Sequence, residues 1–274
     1  MRIQTVMVVR FAPRQHGRWR HDCITSCVRP HREGSRPRMK RKLGAIEDCK
    51  TCELRHKSVV CDLAGDDLAA FQKGKHSFHY EANQPVFYEG HACLGLYLLC
   101  SGKVKLTRSS ARGQRQIVRV LDSGQLIEKH AFRDGALHET TCETIEPSQI
   151  CLIEKDAYLG LVQRNPSLAI KLIQLLSCEL GMHMDQLDQF TFKTARERLA
   201  GLLLELGDRF GVKADDGIRV GLTLKREEVA EMAGITVETA VRFLGAFREE
   251  GLIGLNGRTM TLLNPDRLAR IARL

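Results

Sequence analysis

Residues 224–244 read LKREEVAEMAGITVETAVRFL, and this stretch has the pattern of two short helices joined by a tight turn. The apolar face of the first helix consists of Val229, Ala230 and Met232. Gly234 stands where the chain must turn sharply, and Ile235 is expected to fill the angle between the helices. Thr236 is a good N-cap for the second helix, because its hydroxyl can accept an orphan backbone N–H. The stretch therefore predicts a helix-turn-helix.

The second helix carries a charged pair that is suited to reading DNA. Glu238 and Arg242 are four residues apart and share one helix face. In a helix-turn-helix, the N-terminal residues of the second helix contact base edges in the major groove. Arginine can bind O6 and N7 of guanine, and a carboxylate can accept from N4 of cytosine. The alternative is a surface ion pair on an ordinary helical hairpin.

The segment that follows favours a winged version of the motif. Residues 252–263 read LIGLNGRTMTLL, and Asn256-Gly257 is a strong two-residue turn signal between apolar runs. We predict a hairpin with that turn, and double-stranded DNA as the partner. The predicted DNA contacts are Thr236, Glu238, Thr239, Val241, Arg242 and Arg258.

The middle of the chain is strand-like and rich in glycine turns. Short, partly alternating apolar runs predict strands at 77–80, 85–88, 94–100, 103–108, 116–121 and 149–154. Such spacing is typical of a sandwich or roll.

A long helix is predicted after Asn165-Pro166, since proline is well tolerated in the first turn of a helix. A coiled-coil seam with 4-3 spacing follows Ala169, Ile173, Leu176, Leu180, His183, Leu187 and Phe190. Leu168, Leu172 and Leu175 form a second apolar face that could lie on the roll. The narrow seam favours a parallel homodimer over an intramolecular core helix. A further helix is predicted at 194–210.

The high net charge of +9 comes from the first 42 residues. They contain twelve Lys or Arg and two acidic residues, which is +10, so the rest of the chain is at −1. We interpret residues 1–42 as a disordered basic leader, with Met39 as a candidate true start. No apolar run is long enough for a membrane helix, and no export signal is present, so we expect a cytoplasmic protein. No phosphate loop, nucleophile elbow or HExxH motif indicates an enzyme.

The chain has ten cysteines, and without an export signal they favour metal or redox chemistry over a disulfide framework. Cys49, Cys52 and Cys61 form a C-x2-C-x8-C pattern just ahead of the predicted roll. The close pair allows two thiolates to reach one metal centre. An iron–sulfur cluster or a zinc site would suit this spacing, and each needs a fourth ligand. Reversible disulfide chemistry at Cys49 and Cys52 is a further alternative.

The order of roll, long helix and winged helix-turn-helix resembles the Crp/Fnr superfamily of transcription regulators. Residues 95–106 (GLYLLCSGKVKL) are similar to its roll signature, and residues 195–199 (ARERL) to the helix before its DNA-binding domain. Residues 236–242 (TVETAVR) resemble the recognition helix of the Fnr branch. The resemblance implies a homodimer that reads a palindromic operator, with Glu238 and Arg242 on a G·C pair. Val241 replaces the serine usual in that branch, which changes the expectation for the outer bases.

The resemblance also suggests which signal the roll senses. His138 and Glu139 align with the arginine and serine that hold the phosphate in the cyclic-AMP branch. Because a carboxylate repels a phosphate, the sequence argues against a cyclic nucleotide. The cysteine pattern resembles the cluster-binding segment of Fnr-type oxygen sensors, which implies a [4Fe–4S] cluster. The ligands so implied are Cys49, Cys52, Cys61 and Cys151, with Cys142, Cys93 and Cys100 as rivals for the fourth position.

The predicted architecture is α+β: a cyclic-nucleotide-binding-like jelly roll, a long dimerisation helix and a C-terminal winged helix-turn-helix. The predicted boundaries are leader 1–42, cysteine segment and roll 43–164, dimerisation helix 165–192 and DNA-binding domain 193–274. The expected function is transcription regulation with RNA polymerase as a further partner, controlled by redox state or oxygen. The alternative is a regulator of the same type that lacks a cluster and senses a small effector, a haem-bound gas, zinc or thiol state.

Overall fold

The structure is a computed structural model that describes residues 63–273 except 129 and 134. Within these residues the chain forms three four-stranded sheets, seven α-helices and a short 3-10 helix at His130–Phe132. Two of the sheets build a roll, and the third belongs to the C-terminal domain. None of the helices in the described part has the length and apolar character that crossing a bilayer requires.

The roll is a pair of antiparallel sheets packed face to face. One sheet has the order β1-β8-β3-β6, with β1 (Lys75–Tyr80), β8 (Ser148–Glu154), β3 (Gly95–Ser101) and β6 (Leu126–Glu128). The other has the order β2-β7-β4-β5, with β2 (Pro85–Phe87), β7 (Thr141–Thr144), β4 (Lys103–Ser109) and β5 (Arg115–Asp122). All six predicted strands are present within two residues at each end, whereas β6 and β7 were not predicted.

Strand β3 is covered on both of its faces. Tyr97 and Leu99 point into the core between the two sheets, and Leu96, Leu98 and Cys100 point into a second core. That second core lies between β3, β8 and the helices α1 (Gly65–Lys73), α2 (Lys155–Arg164) and α3 (Ser167–Phe192). Burial on both faces explains why the sequence of β3 is almost continuously apolar.

Helix α3 connects the roll to the C-terminal domain. Its 26 residues span roughly 39 Å at 1.5 Å per residue. Leu168 and Leu172 are buried in the second core and Leu175 packs against it, so the predicted roll-facing side is confirmed.

The C-terminal domain is a winged helix-turn-helix, as predicted. Its elements are α4 (Ala195–Phe210), β9 (Gly211–Ala214), β10 (Gly217–Val220), α5 (Arg226–Ala233), α6 (Val237–Glu249), β11 (Ile253–Asn256), β12 (Thr259–Leu262) and α7 (Pro265–Ala272). Thr194 caps α4 in a capping box with Glu197, whose carboxylate accepts the Thr194 N–H at 2.8 Å. The sheet has four strands in the order β11-β12-β10-β9, so it is larger than the predicted hairpin.

The predicted turn of the wing was wrong by one residue. Asn256 pairs with Thr259, so the two turn residues are Gly257 and Arg258 rather than Asn256 and Gly257. Gly257 has φ +58°, whereas Asn256 stays in the strand. A glycine at the first turn position is the requirement of a type II′ turn, which suits the strand twist as well as the expected Asn-Gly turn does.

Candidate DNA-binding surface and cysteine site

The turn between α5 and α6 is held from the outside by the end of the long helix. Gly234 has φ +62°, and a Cβ there would lie 2.5 Å from Cε1 of Phe190. Arg198 donates to the carbonyls of Ala233 and Gly234, each at 3.1 Å, and its guanidinium lies 5.4 Å from the Phe190 ring centroid. Only glycine fits this position, since it needs both the left-handed backbone and the space. The sequence pattern indicated no role for Arg198 and placed Phe190 in the dimer seam alone.

The start of α6 is capped as predicted. The Thr236 hydroxyl accepts the Thr239 N–H at 3.3 Å, which satisfies one orphan donor of the helix. Glu238 lies in the first turn, where its own backbone N–H, followed by the Thr236 hydroxyl, lowers the pKa of its carboxyl. Glu238 is therefore ionised at neutral pH and can act as an acceptor.

The predicted DNA-contacting side chains form one open surface. Thr236, Glu238, Val241 and Arg242 are exposed, whereas Thr239 is half-buried beneath them. On the opposite side of α6, Ala240, Leu244 and Phe247 are buried, and the last two belong to the core of the domain. The helix thus presents a polar face with a carboxylate, a guanidinium and the apolar Val241 to solvent. These groups can contact base edges and a thymine methyl.

The wing is attached to the helix-turn-helix by an arginine whose role the sequence pattern did not indicate. Arg226, at the start of α5, donates to the Gly257 carbonyl at 3.2 Å. This bond fixes the turn that carries Arg258, whose side chain is exposed beside it. A fixed cationic residue at a wing tip is suited to a phosphate contact, which positions a protein on DNA without reading sequence.

The C-terminal domain docks on the roll through an ion-pair bridge. Lys105 of β4 donates to Glu228 of α5 at 2.8 Å and lies 3.1 Å from Glu143 of β7. Burial by itself lowers the pKa of Lys105, but the bonds to Glu228 and Glu143 outweigh it and hold the pKa above its ordinary value. Ile117 and Val120 of β5 lie in the core of the C-terminal domain beside this bridge. We call the three charged residues the Lys105 bridge.

One of the four predicted cluster ligands, Cys151, lies within the described residues. Cys49, Cys52 and Cys61 lie outside the described residues, and within residues 63–273 no group of three His, Cys, Asp or Glu could hold a metal. Cys151 of β8 is buried, with 1% of its surface exposed, in the second core. The Cys100 thiol donates to Cys151 Sγ at 2.8 Å. This bond, against the opposing effect of burial, lowers the pKa of Cys151 to about 6.

The other candidate ligands occupy different positions. Cys142 is completely buried in the core between the two sheets, away from the helices. Cys93 is half-buried and packs against the second core, where its thiol donates to the Gly95 carbonyl at 3.4 Å. Cys100 and Cys151 therefore share one core with Leu63 at the start of the described chain, and Cys142 does not.

The interior of the roll carries an aromatic stack where the resemblance expected a phosphate site. The His138 ring stacks on Phe87 with centroids 3.8 Å apart, and it meets Tyr97 edge-on at 5.4 Å. Glu139 accepts from Arg133 at 2.7 Å. Two aromatic rings and an ion pair thus surround the two positions that were compared with the arginine–serine pair.

The apolar side chains of the predicted dimer seam are exposed to solvent in the single chain. The exposed seam residues, with their exposed fractions, are Ile173 (61%), Leu176 (40%), Leu180 (65%), Leu187 (59%) and Phe190 (42%). His183 is also exposed on this side of α3. Soluble monomers rarely expose a continuous apolar stripe of this length, and such stripes usually mark an interaction surface.

Comparisons with known proteins agree with this geometry. The Crp-like helix-turn-helix domain family matches residues 197–271, and the cyclic nucleotide-binding domain family matches residues 77–165. The chain is similar to the cyclic AMP receptor protein of Thermus thermophilus, with 31% identity over 70% of this chain and 86% of that protein. It is also similar to the fumarate and nitrate reduction regulatory protein of Escherichia coli, with 29% identity over 70% and 76% of the two chains.

Solved structures share the fold. FixK2 from Bradyrhizobium japonicum superposes with a TM-score of 0.63 at 24% identity, covering 72% of this chain and 96% of that one. The relatives matched by sequence, which include a global transcriptional regulator of Mycobacterium tuberculosis with 27% identity over 75% of this chain and 92% of that protein, are regulators rather than enzymes. Together with the exposed recognition face of α6, they identify the chain as a DNA-binding transcription regulator of the Crp/Fnr superfamily.

Proposed function

We propose that this regulator is an Fnr-like redox sensor, in which Cys49, Cys52, Cys61 and Cys151 hold a [4Fe–4S] cluster. The observation that carries the proposal is the location of Cys151 in one apolar core with Leu63 and Leu172. Cys61 precedes Leu63 by two residues, so the two Cα atoms are at most about 7 Å apart. This shared core supports Cys151 as the fourth ligand over Cys142, which lies in the other core of the roll.

The residues of this core connect the proposed ligand to the dimer helix. Cys151 and Cys100 pack in one core with Leu168 and Leu172 at the base of α3, and Phe190 at its other end contacts the helix-turn-helix at Gly234. A change in the packing around Cys151 can therefore act on both ends of α3. When bound, a [4Fe–4S] group supplies iron–thiolate bonds that tie the cysteine segment to the roll and that oxidants can break.

We propose that the signal regulates dimerisation through α3. Exposed seam residues such as Leu180 and Leu187 gain burial when two copies of α3 pack, and this brings two α6 helices to one operator. Two linked half-site contacts bind much more tightly than one, by about 10²–10⁴-fold. A signal that favours the packed state therefore favours operator binding. RNA polymerase as a partner follows from the superfamily alone, and we assign no surface to it.

We propose the cluster rather than a cyclic nucleotide as the signal, although the roll matches a cyclic nucleotide-binding domain. The positions compared with the phosphate-binding pair are His138, stacked on Phe87, and Glu139, paired with Arg133. The His138 ring is held between two aromatic rings, and the Glu139 carboxylate would repel a phosphate.

The experiment is the visible spectrum and the iron and sulfide content of the full chain purified without oxygen. We expect the broad visible absorbance of an iron–sulfur cluster, which bleaches in air, and about four irons per chain. Cys151→Ala should lose the iron, whereas Cys142→Ala, which removes a thiol from the other core, should retain it. A colourless wild-type protein without iron would overturn the proposal. Iron that survives in Cys151→Ala but not in Cys100→Ala would move the fourth ligand to Cys100.

A further inference from the structure

Cys100 and Cys151 are neighbours across two adjacent strands. Cys151 of β8 stands opposite Leu98 of β3, and Cys100 lies two residues further along β3 on the same face. The pairing of the strands shifts between Leu99 and Ser101, so Cys100 lies at the irregularity. The two sulfur atoms are 2.8 Å apart. An S–S bond is about 2.05 Å long, so less than about 1 Å of movement separates the two thiols from a bond.

Solvent has a short route to this pair. Ser77, on the neighbouring edge strand β1, is exposed, and its hydroxyl lies 3.7 Å from Cys151 Sγ. No strand of the described chain pairs with the outer side of β1. A small oxidant therefore needs to pass only the edge of the sheet to reach Cys151.

We propose that Cys100 and Cys151 are a redox-active pair that peroxide converts reversibly into a disulfide. In the first step the Cys151 sulfur attacks one oxygen of hydrogen peroxide, which breaks the O–O bond and gives a sulfenic acid and water. In the second step the Cys100 sulfur attacks the Cys151 sulfur, the S–O bond breaks, and the hydroxyl leaves as water with the Cys100 proton. Two electrons pass from the sulfur atoms to one peroxide molecule, and a dithiol reductant restores both thiols.

The disulfide would have a defined structural effect. It links β3 to β8 within the core that holds Leu168 and Leu172, at the base of the dimer helix. It also removes Cys151 from any metal. This last consequence rests on the proposed cluster, whereas the disulfide itself follows from the Cys100–Cys151 contact and needs no cluster.

The chain contains its own control for a buried cysteine in the roll. Cys142 is as deeply buried as Cys151, but it lies in the core between the sheets. If oxidation followed only from the presence of thiols in the roll, a Cys142 variant would alter it. If the contact between the two sulfur atoms determines oxidation, only substitutions of Cys100 or Cys151 alter it.

The test is mass-spectrometric mapping of cysteines in the metal-free full chain. The reduced protein is treated with hydrogen peroxide, alkylated with N-ethylmaleimide and digested with trypsin, chymotrypsin and glutamyl endopeptidase. Chymotrypsin cleaves between Cys93 and Cys100, and glutamyl endopeptidase cleaves between Cys142 and Cys151, after Glu143. We expect a peptide that joins Cys100 to Cys151, which dithiothreitol separates. Cys100→Ser should abolish this peptide, and Cys142→Ser should keep it. Circular dichroism confirms that each variant is folded, and Cys100→Ala serves as a second variant.

Two results would overturn the inference. One is Cys151 oxidised to sulfinic acid, or left alkylated, with Cys100 alkylated in the same sample. The other is a disulfide from Cys151 to a different cysteine. A separate measurement, iron and sulfide reconstitution of the peroxide-treated wild type, addresses the consequence for the cluster. If the disulfide forms and a cluster still assembles, the assignment of Cys151 as a ligand is wrong and the disulfide pair stands.

Discussion

Replacing Lys105 by methionine should weaken the docking of the C-terminal domain on the roll by about 2–4 kcal/mol. The Lys105 side chain is 10% exposed and bonds two carboxylates, Glu228 and Glu143, which are 18% and 25% exposed. Methionine keeps the apolar stem and removes the charge between them. Loss of one partner of a buried ion pair typically costs about 3–5 kcal/mol. Because both carboxylates keep some contact with water, we place the expected value at the lower part of that range and slightly below it.

Repulsion between the remaining carboxylates accounts for much of this value. Lys105 Nζ lies 2.8 Å from an oxygen of Glu228 and 3.1 Å from an oxygen of Glu143. These two carboxylate oxygens are therefore no more than about 6 Å apart. Two negative charges about 6 Å apart repel by about 3 kcal/mol at an effective dielectric constant of 20. Glu228→Gln removes one of these charges, so it should recover a large part of the loss in the Lys105→Met background.

Amide hydrogen exchange of α5 in the full chain measures this docking locally. The four proteins of a double-mutant cycle are the wild type, Lys105→Met, Glu228→Gln and the double variant. Lys103→Met is the matched control, since Lys103 lies on the same strand and pairs with Glu146 of the roll instead. We expect coupling of at least about 1 kcal/mol in the cycle and little change at α5 in the control. Effects that add within about 0.5 kcal/mol would refute the argument.

Three further results are expected. Arg242→Ala should weaken specific operator binding by about 1–3 kcal/mol in anisotropy titrations. Arg219 is an exposed arginine on β10, and Arg219→Ala should leave the affinity unchanged. Equal losses in the two variants would contradict the assignment of α6 as the recognition helix. Leu180→Glu should give a folded monomer in sedimentation, because Leu180 is 65% exposed on the seam, while Leu94→Glu, with 62% exposure off this helix, should not; an unchanged dimer would exclude the seam. Burial raises the pKa of Glu228, but its bonds to Lys105 and to the Lys225 N–H outweigh this effect and lower the pKa overall. The docking of the C-terminal domain should therefore be complete near neutral pH and be lost as the pH falls through this lowered pKa. Glu228→Gln should remove this acid dependence, measured as amide hydrogen exchange of α5.

The parts of this fold that the sequence predicted are those that local residues determine. Thr236 caps α6 and Gly234 ends α5 through bonds within a few residues, so the local sequence was enough to predict the helix-turn-helix. Strands β6 and β7 were missed because residues 126–128 and 141–144 are too short to show a period. The wing turn was misplaced because Gly257 suits either the first or the second turn position.

The contacts that join the domains could not be predicted in this way. Lys105 and Glu228 are 123 residues apart, and nothing near either residue indicates the other. The Cys100–Cys151 contact spans 51 residues and depends on a shift in strand pairing that the sequence of β3 does not reveal. The resemblance to a known family named Cys151 as a ligand candidate, but it did not show that a second thiol touches it.

Control of operator binding by the cluster is tested most directly by the operator affinity of the full chain purified without oxygen. The affinity is measured by fluorescence anisotropy before and after exposure to air, and the iron content is followed in the same samples. We predict tight binding by the iron-containing protein and a loss of about 10²-fold or more when the iron is released, as expected when two half-site contacts become one. Cys151→Ala should bind weakly under both conditions. An iron-containing protein that binds its operator equally well before and after the iron is lost would show that the cluster does not control DNA binding.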